Sequence, residues 1–391
     1  MQTVLAFKKN APSGDAAPPV SARPDEEILS RTRTIAEGPL RDQANAIDKG
    51  HYPLDMMRAL GEAGALSAHL KSGGERFGVA IEAMRAVSKS CGSTGFLTWC
   101  HDVFGLYLDQ SPNRSLADRM LAAHAMGETF GGTGLSNPMK AFAGIEPMAL
   151  KAVRAPAGYR VSGTLPWVSH IGRGQYFGAI AQVFDGFGAP LHEIMFVLRC
   201  DEPVELRQCP AFSGMEGTST WSVRLTDVFI DESDLIADPA RPFIGQIQGA
   251  FILLQYGMAL GIIDGAIESM LDVEGVLGHV NQYLADRPAD IVAEFQELST
   301  RASKLIETPF ERSKDFLLDV IDVRAQAAEL ALRATQSALM HQGARGYLMS
   351  AAPQRRIREA HFVAIVTPAI KHLRREMERL SKDVQPTEAQ P

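Results

Sequence analysis

The periodicity of the chain changes twice, and the order of the three blocks limits the fold more than any single motif does. Between residues 26 and 128 apolar side chains recur at helical spacing. In "PLDMMRALGEAGA" Pro53 opens the first turn and Leu54, Met57 and Leu60 share one face. From 129 the runs become short and β-branched or aromatic: "GYRVSGTLPWVS", "QYFGAIAQVF", "HEIMFVLR" and "WSVRLTDVFI", separated by Gly, Pro and Asp turns. In the last of these Trp221, Val223 and Leu225 alternate, and Asp227 breaks the register as a bulge would. Helical spacing then resumes over 246–274, 288–316, 320–343 and 354–382, in segments long enough to pack side by side as a four-helix bundle. The expected class is α+β. The expected plan is a disordered segment over 1–25, a helical domain over 26–128, an antiparallel β-domain over 129–242, a helical bundle over 243–383 and a tail over 384–391.

The 391 residues suffice for two or three domains sharing cores, with 46% hydrophobic and 22% charged residues in an ordinary globular balance. The net charge of −7 is spread along the chain, which argues against a nucleic-acid partner. Cys91, Cys100, Cys200 and Cys209 are too few and scattered for a disulfide framework; Cys200 and Cys209 could meet across a hairpin, but free thiols are the expectation. No metal-ligand spacing appears, so no metal is expected. The uncharged run "GAFILLQYGMALGII" (249–263) is shorter than a membrane span of ~20 residues. It contains Gln255 and runs into Asp264 and Glu268, so it reads as a buried core helix. The N-terminus shows neither the apolar stretch nor the cleavage site of a secretory signal, and the expected compartment is the cytoplasm.

Two stretches of the β-block carry chemistry. "VSGTLPWVSH" (161–170) reads as a strand end, a tight turn at Gly163 and a second strand from Trp167. Trp167, Ser169 and His170 are costly to bury unless something flat and polar lies against them. Alone, the stretch reads better as an interior Trp beside a hairpin-closing Ser. "GGTGLSNPMKAFAG" (131–144) lacks the strand–GxGxxG–helix context of a nucleotide-binding turn. It reads either as a connection into the sheet or as a loop offering backbone N–H groups and the Ser136 hydroxyl to a ligand.

Together, in this order of blocks, they resemble the acyl-CoA dehydrogenase superfamily of flavoproteins over nearly the whole chain after residue 25. "GLSNP" (134–138), "GTLPWVS" (163–169), "GMEGTSTWSVRLTDV" (214–228), and "QGARGY" (342–347) followed by "RRIREA" (355–360) stand where that family has its signatures. The resemblance implies FAD. Trp167 would flank the isoalloxazine, the Ser169 hydroxyl would bond near its reactive nitrogen, and Leu135 and Ser136 would meet its pyrimidine end. Gly343 and Gly346 would contribute to the cofactor site. His170 does not follow the family pattern and is expected at the solvent surface.

The resemblance also marks departures. Family dehydrogenases remove an α proton with a glutamate at one of two places. Those places hold Thr367, followed by Pro368, and Phe251, whose nearest polar neighbour is Gln255. The three are expected to line the substrate site. The family's diphosphate-holding R-x-x-F-G motif is not visible, and Asn137 replaces its usual Glu. One branch, the flavin-dependent monooxygenases resembling dibenzothiophene monooxygenase, needs no such glutamate and places a histidine on the helix before the first loop. His101 falls there and Ser169 matches its serine, but Val366 stands where that branch has a further histidine. A helix histidine bonded to a neighbouring backbone group explains His101 equally well.

Three functions follow. One is an acyl-thioester dehydrogenase with an unidentified base, passing electrons to an electron-transfer flavoprotein. Another is a monooxygenase using reduced FAD or FMN from a flavin reductase on a small aromatic or heteroatom substrate, with His101 and Ser169 as catalytic residues. The last is a non-catalytic flavin-binding relative. A homotetramer or homodimer is expected, because family members bury bundle surfaces between subunits and the Leu/Ala-rich helix 320–343 needs covering.

Overall fold

The protein is described here by a computed structural model covering residues 23–382. The expectations for residues 1–22 and for the 384–391 tail lie outside the described residues. Arg23 is buried, with Nη1 donating to the Glu62 carbonyl at 2.5 Å, so the chain is docked two residues before the first helix begins.

Six helices come first: α1 (Asp25–Ile35), α2 (Arg41–Asp48), α3 (Leu54–Ala63), α4 (Phe77–Ser90), α5 (Gly92–Gln110) and α6 (Arg114–Ala125). Their ends follow local chemistry. Three acids occupy the first turn of α1, where they complement the helix dipole. Gly64 closes α3 in the left-handed region at φ 91°, and the Asn113 side chain caps α6 by accepting from the Leu116 N–H. Helix α5 is buried from Gly92 to Asp109. It packs against α4, α6, α8, α9 and the edge of the sheet, which places it at the centre of the molecule.

The sheet contains β1 (Gly131–Thr133), β2 (Leu150–Ala155), β3 (Gly158–Val168), β4 (Tyr176–Phe184), β5 (Pro190–Arg199), β6 (Glu205–Gln208), β7 (Trp221–Asp231) and β8 (Leu235–Ala237), with a short helix α7 (Ser136–Phe142) after β1. The order is β6-β7-β3-β2-β4-β5-β8, with β1 beside β4. The β2/β4 and β1/β4 pairs are parallel, so the sheet is mixed rather than antiparallel as expected. The turn expected at Gly163 is instead a bulge inside one continuous strand. Gly163 sits at φ 142°, where a Cβ would lie 2.2 Å from the Ala149 carbonyl oxygen. Asp227 lies in the matching irregularity of β7, at φ 53°.

The last block is α8 (Ala240–Leu254), α9 (Tyr256–Asn281), α10 (Pro288–Ile306), α11 (Lys314–Gln342), α12 (Ala352–Ile365) and α13 (Ile370–Lys382). Helix α10 stops at 306 rather than 316, because Pro309 disfavours helical backbone before it. The single helix expected over 354–382 is two. Pro368 lacks an N–H and pushes Thr367 out of the helical region, opening a break that proves central to the site. The apolar window within Ala240–Asn281 is long enough by length and composition to cross a membrane, but 94% of it is buried inside the protein, as expected of a core helix. Helix α9 approaches α4 through Gly257 and Gly261, where an added Cβ would lie 2.8 Å and 2.2 Å from the Ile81 and Arg85 carbonyl oxygens. The Leu/Ala-rich face of α11 is covered within the chain by α9 and α12.

Candidate functional site

Strand β1 joins the two stretches singled out in the β-block. Thr133 pairs with Ser169 in an antiparallel bridge, and Gly132 runs so close that a Cβ there would lie 2.1 Å from the Ser169 carbonyl oxygen. Three residues on, buried Leu135 leads into Ser136 at the start of α7. The Ser169 hydroxyl meets Thr220 Oγ1 at 2.7 Å, and Thr220 meets Thr218 Oγ1 at 3.0 Å. On β3 Leu165 and Val168 point inward while Pro166 and Trp167 face out. Trp167 is 46% exposed, with Phe212 edge-on at 5.7 Å between centroids.

A second run of contacts begins at Ser136. Its hydroxyl meets Thr367 Oγ1 at 3.0 Å across the break between α12 and α13. Gln255, at the junction of α8 and α9, donates Nε2 to the Thr367 carbonyl at 2.8 Å. Arg324 on α11 donates Nε to Gln255 Oε1 at 3.0 Å and Nη2 to the Val363 carbonyl at 2.7 Å. The donating guanidinium and the accepting carbonyl fix the orientation of the Gln255 amide. Arg324 is 1% exposed, and none of the salt bridges among the described residues includes it. Burial pushes its pKa down to about 10, which leaves it charged at neutral pH.

Aromatic side chains wall this run. Phe251 lies 5.3 Å from Trp99 and 6.5 Å from Tyr107; Phe96 stacks on Trp99 at 5.7 Å and meets Phe362 at 4.5 Å. The Tyr107 hydroxyl returns to Thr133 Oγ1 at 2.9 Å, which closes a circuit with the first stretch. The buried indole N–H of Trp99 has no hydrogen-bond partner among the described residues. Contacts thus join Leu135, Ser136, Ser169, Phe251, Gln255 and Thr367 into one region between sheet and bundle, with Trp167 two residues from Ser169 on the outward face of β3. Its donors are neutral hydroxyls and an amide beside an open indole. That donor set suits a planar ring with carbonyl and N–H groups on its edge, so the residues fit a flavin.

His101 lies on the other side of α5. Its ring stacks on His124 at 3.6 Å, and each Nε2 donates to the other residue's carbonyl at 2.9 Å. Ser169 bonds to Thr220 instead, so the structure places no hydrogen bond between His101 and Ser169. His170 is fully buried, which corrects the expectation of solvent exposure. Just past the end of β3, at φ 61°, it is turned into the helical domain, where Nδ1 meets the Tyr52 hydroxyl at 2.9 Å and its ring lies 5.6 Å from His101. Desolvation holds His124 and His170 down to about 3, His69 to about 4 and His101 well below the usual range. Asp102 is buried with both carboxylate oxygens unpartnered among the described residues, and burial raises its pKa well above the ordinary value.

Gly343 and Gly346 stand apart, in the turn after α11. Eighteen residues of helix separate Arg324 from Gln342, about 27 Å at 1.5 Å per residue. Sequence reasoning missed Arg324, Thr220, Phe212 and Trp99. Arg324 had a legible signal: it sits at helical spacing from Val320, Ala328 and Ala331, on the apolar face of α11. Thr220 lay inside the quoted stretch 214–228 but was not singled out, and Phe212 had no signal, because it reaches the site through a long loop.

No protein-family model matches the chain. A curated relative, "Probable acyl-CoA dehydrogenase YngJ" of Bacillus subtilis (strain 168), is 22% identical over 364 residues, covering 86% of this chain and 92% of the relative. Among solved structures, butyryl-CoA dehydrogenase from Megasphaera elsdenii superposes with a TM-score of 0.80 at 16% identity, covering 94% of this chain and 100% of the other. Dibenzothiophene monooxygenase (TdsC) from Paenibacillus sp. A11-2 superposes with a TM-score of 0.75 at 17% identity, covering 93% and 99%. The chain has the acyl-CoA dehydrogenase fold, and that fold is shared by dehydrogenases and monooxygenases.

Proposed function

We propose that this chain is a flavin-dependent oxidoreductase, and within that class a reduced-flavin-dependent monooxygenase that acts with a separate reductase on a small aromatic or heteroatom substrate. One observation carries the choice. Both places where a dehydrogenase would keep its carboxylate are neutral, and Gln255 and Thr367 are hydrogen-bonded to one another and backed by the buried Arg324 cation. An amide and a hydroxyl cannot take an α proton at neutral pH, and a guanidinium opposes proton uptake nearby. Trp167 would flank the ring, while Ser136, Ser169 and Thr220 would offer hydroxyls to its edge. FAD, or FMN in its place, supplies the electrons and the centre at which O₂ is activated. Phe96, Trp99, Phe251 and Phe362 would exclude water and present flat apolar surface to the substrate, and Thr367 Oγ1 would orient its polar end, with Gln255 holding the Thr367 backbone from behind. His101, enclosed against His124, is given no contact with substrate.

The sequence relative named as an acyl-CoA dehydrogenase favours a second reading, α,β-dehydrogenation of an acyl thioester with electrons leaving to an electron-transfer flavoprotein. Anaerobic spectroscopy separates the two. Turnover that requires O₂ and an added flavin reductase, without bleaching by acyl-CoA, supports the monooxygenase. Bleaching of bound flavin by an acyl-CoA in the absence of O₂ overturns it in favour of the dehydrogenase. Bound flavin with neither response leaves a non-catalytic relative.

A further inference from the structure

The loop over 209–220, between β6 and β7, builds one wall of the candidate site. It carries Phe212 to the edge of Trp167 and Thr220 to the Ser169 hydroxyl, and its Thr218 carbonyl accepts from the His170 N–H at 3.0 Å. A loop of this length has many conformations to lose, so something must hold it. Two side chains from the other two domains do so. Arg358 on α12 pairs with Asp48 on α2 at 2.7 Å, with the side chains 13% and 7% exposed. Arg358 Nη1 also donates to the Ser213 carbonyl at 3.0 Å, and Asp48 Oδ1 accepts from the Met215 N–H at 2.9 Å. The fit around Gly214 is tight: a Cβ there would lie 2.5 Å from Arg358 Nη1 and 2.9 Å from Asp48 Oδ1. Met215 and Ser219, which flank the turn Glu216–Thr218 that follows, are held in the left-handed region at φ 60° and 45°.

We propose that Asp48 and Arg358 are positioning residues for the cofactor wall. Their ion pair clamps the 209–220 loop from both helical blocks at once, and so sets where Phe212 and Thr220 stand against Trp167 and Ser169. Neither residue touches the ring. The inference rests on the flavin reading for its affinity readout, while its geometric readout does not. Three variants of the full chain test it: Arg358→Gln breaks the pair, Arg358→Lys keeps its charge, and Gly214→Ala wedges the clamp without altering any charge. Flavin affinity is measured by titration, and exposure of Trp167 by acrylamide quenching referenced to Trp167→Phe. Circular-dichroism melts identify variants that remain cooperatively folded.

Arg358→Gln and Gly214→Ala are each expected to weaken flavin binding at least tenfold and to change Trp167 quenching, with Arg358→Lys recovering most of both. The proposal is overturned if a cooperatively folded Arg358→Gln or Gly214→Ala binds flavin like the wild type with unchanged Trp167 quenching. It is equally overturned if affinity falls only in step with the folded fraction. Should the wild type bind no flavin, the functional reading fails, and the quenching comparison alone decides the clamp.

Discussion

Trp167 is a large apolar side chain with nearly half its surface open, on the outward face of a strand whose neighbours Leu165 and Val168 are buried. An indole in that state gains by being covered with a flat ring. Trp167→Ala is therefore expected to weaken flavin binding about tenfold, corresponding to ~1.4 kcal/mol. Fluorescence titration checks it, and an unchanged dissociation constant would remove Trp167 from the cofactor site. Arg324 poses the opposite problem, a buried charge whose partners are all neutral. Removing Gln255 leaves its Nε unpaired, so Gln255→Leu is expected to cost about 2–3 kcal/mol in denaturant unfolding. Replacing the charge by an apolar side chain of similar length removes the desolvation penalty as well. The double variant Gln255→Leu/Arg324→Met is then expected to be more stable than Gln255→Leu alone; simple additivity of two losses would show that the two side chains are not coupled.

Among elements, α5 divides the molecule. Its bundle-facing side carries Phe96, Trp99 and Tyr107, and the opposite side carries His101 against His124 and His170. The histidine side governs acid stability. His69, His101, His124 and His170 have folded values below their unfolded value of about 6.5. Between those limits the unfolded chain binds the extra protons, so stability is full above about pH 6.5 and is lost as pH falls toward the folded values. Asp102 acts with the opposite sign, because its raised value makes the folded state hold a proton that the unfolded state has released. The four histidines outnumber the one carboxyl, so the net effect is a loss of stability as pH falls below about 6.5. Thermal melts below that value are expected to show a steep loss that softens in His124→Gln. A flat profile would mean that the imidazoles are not held neutral.

For the whole molecule, the expected subunit interface moves. The apolar face of α11 is consumed inside the chain, but the C-terminal ends of α9 and α11 lie together, joined by Asn281 Nδ2 donating to the His341 carbonyl at 3.3 Å. There Val276, Val280, Tyr283, Met340, Tyr347 and Leu348 are exposed. So much apolar surface in one neighbourhood is what a subunit interface would cover. A homodimer or homotetramer built on it is expected by light scattering at micromolar concentration, shifting to smaller species in Tyr283→Glu/Leu348→Glu. A wild-type monomer would count against it.

The residue order alone determined the three blocks, the burial of 249–263 and the two stretches that meet at Thr133 and Ser169, because periodicity and turn chemistry are local properties. Read through the family resemblance, it also put no glutamate at the two places where the family keeps its base. Only the tertiary structure decided where side chains face. His170 is turned inward and His101 sealed against a second imidazole by contacts more than twenty residues away in sequence. The break at Thr367 becomes part of a site only because Gln255 and Arg324, from helices 112 residues and 43 residues earlier, converge on it. Spacing along a chain reports the repeat of one element, whereas a site is built from elements that meet in space.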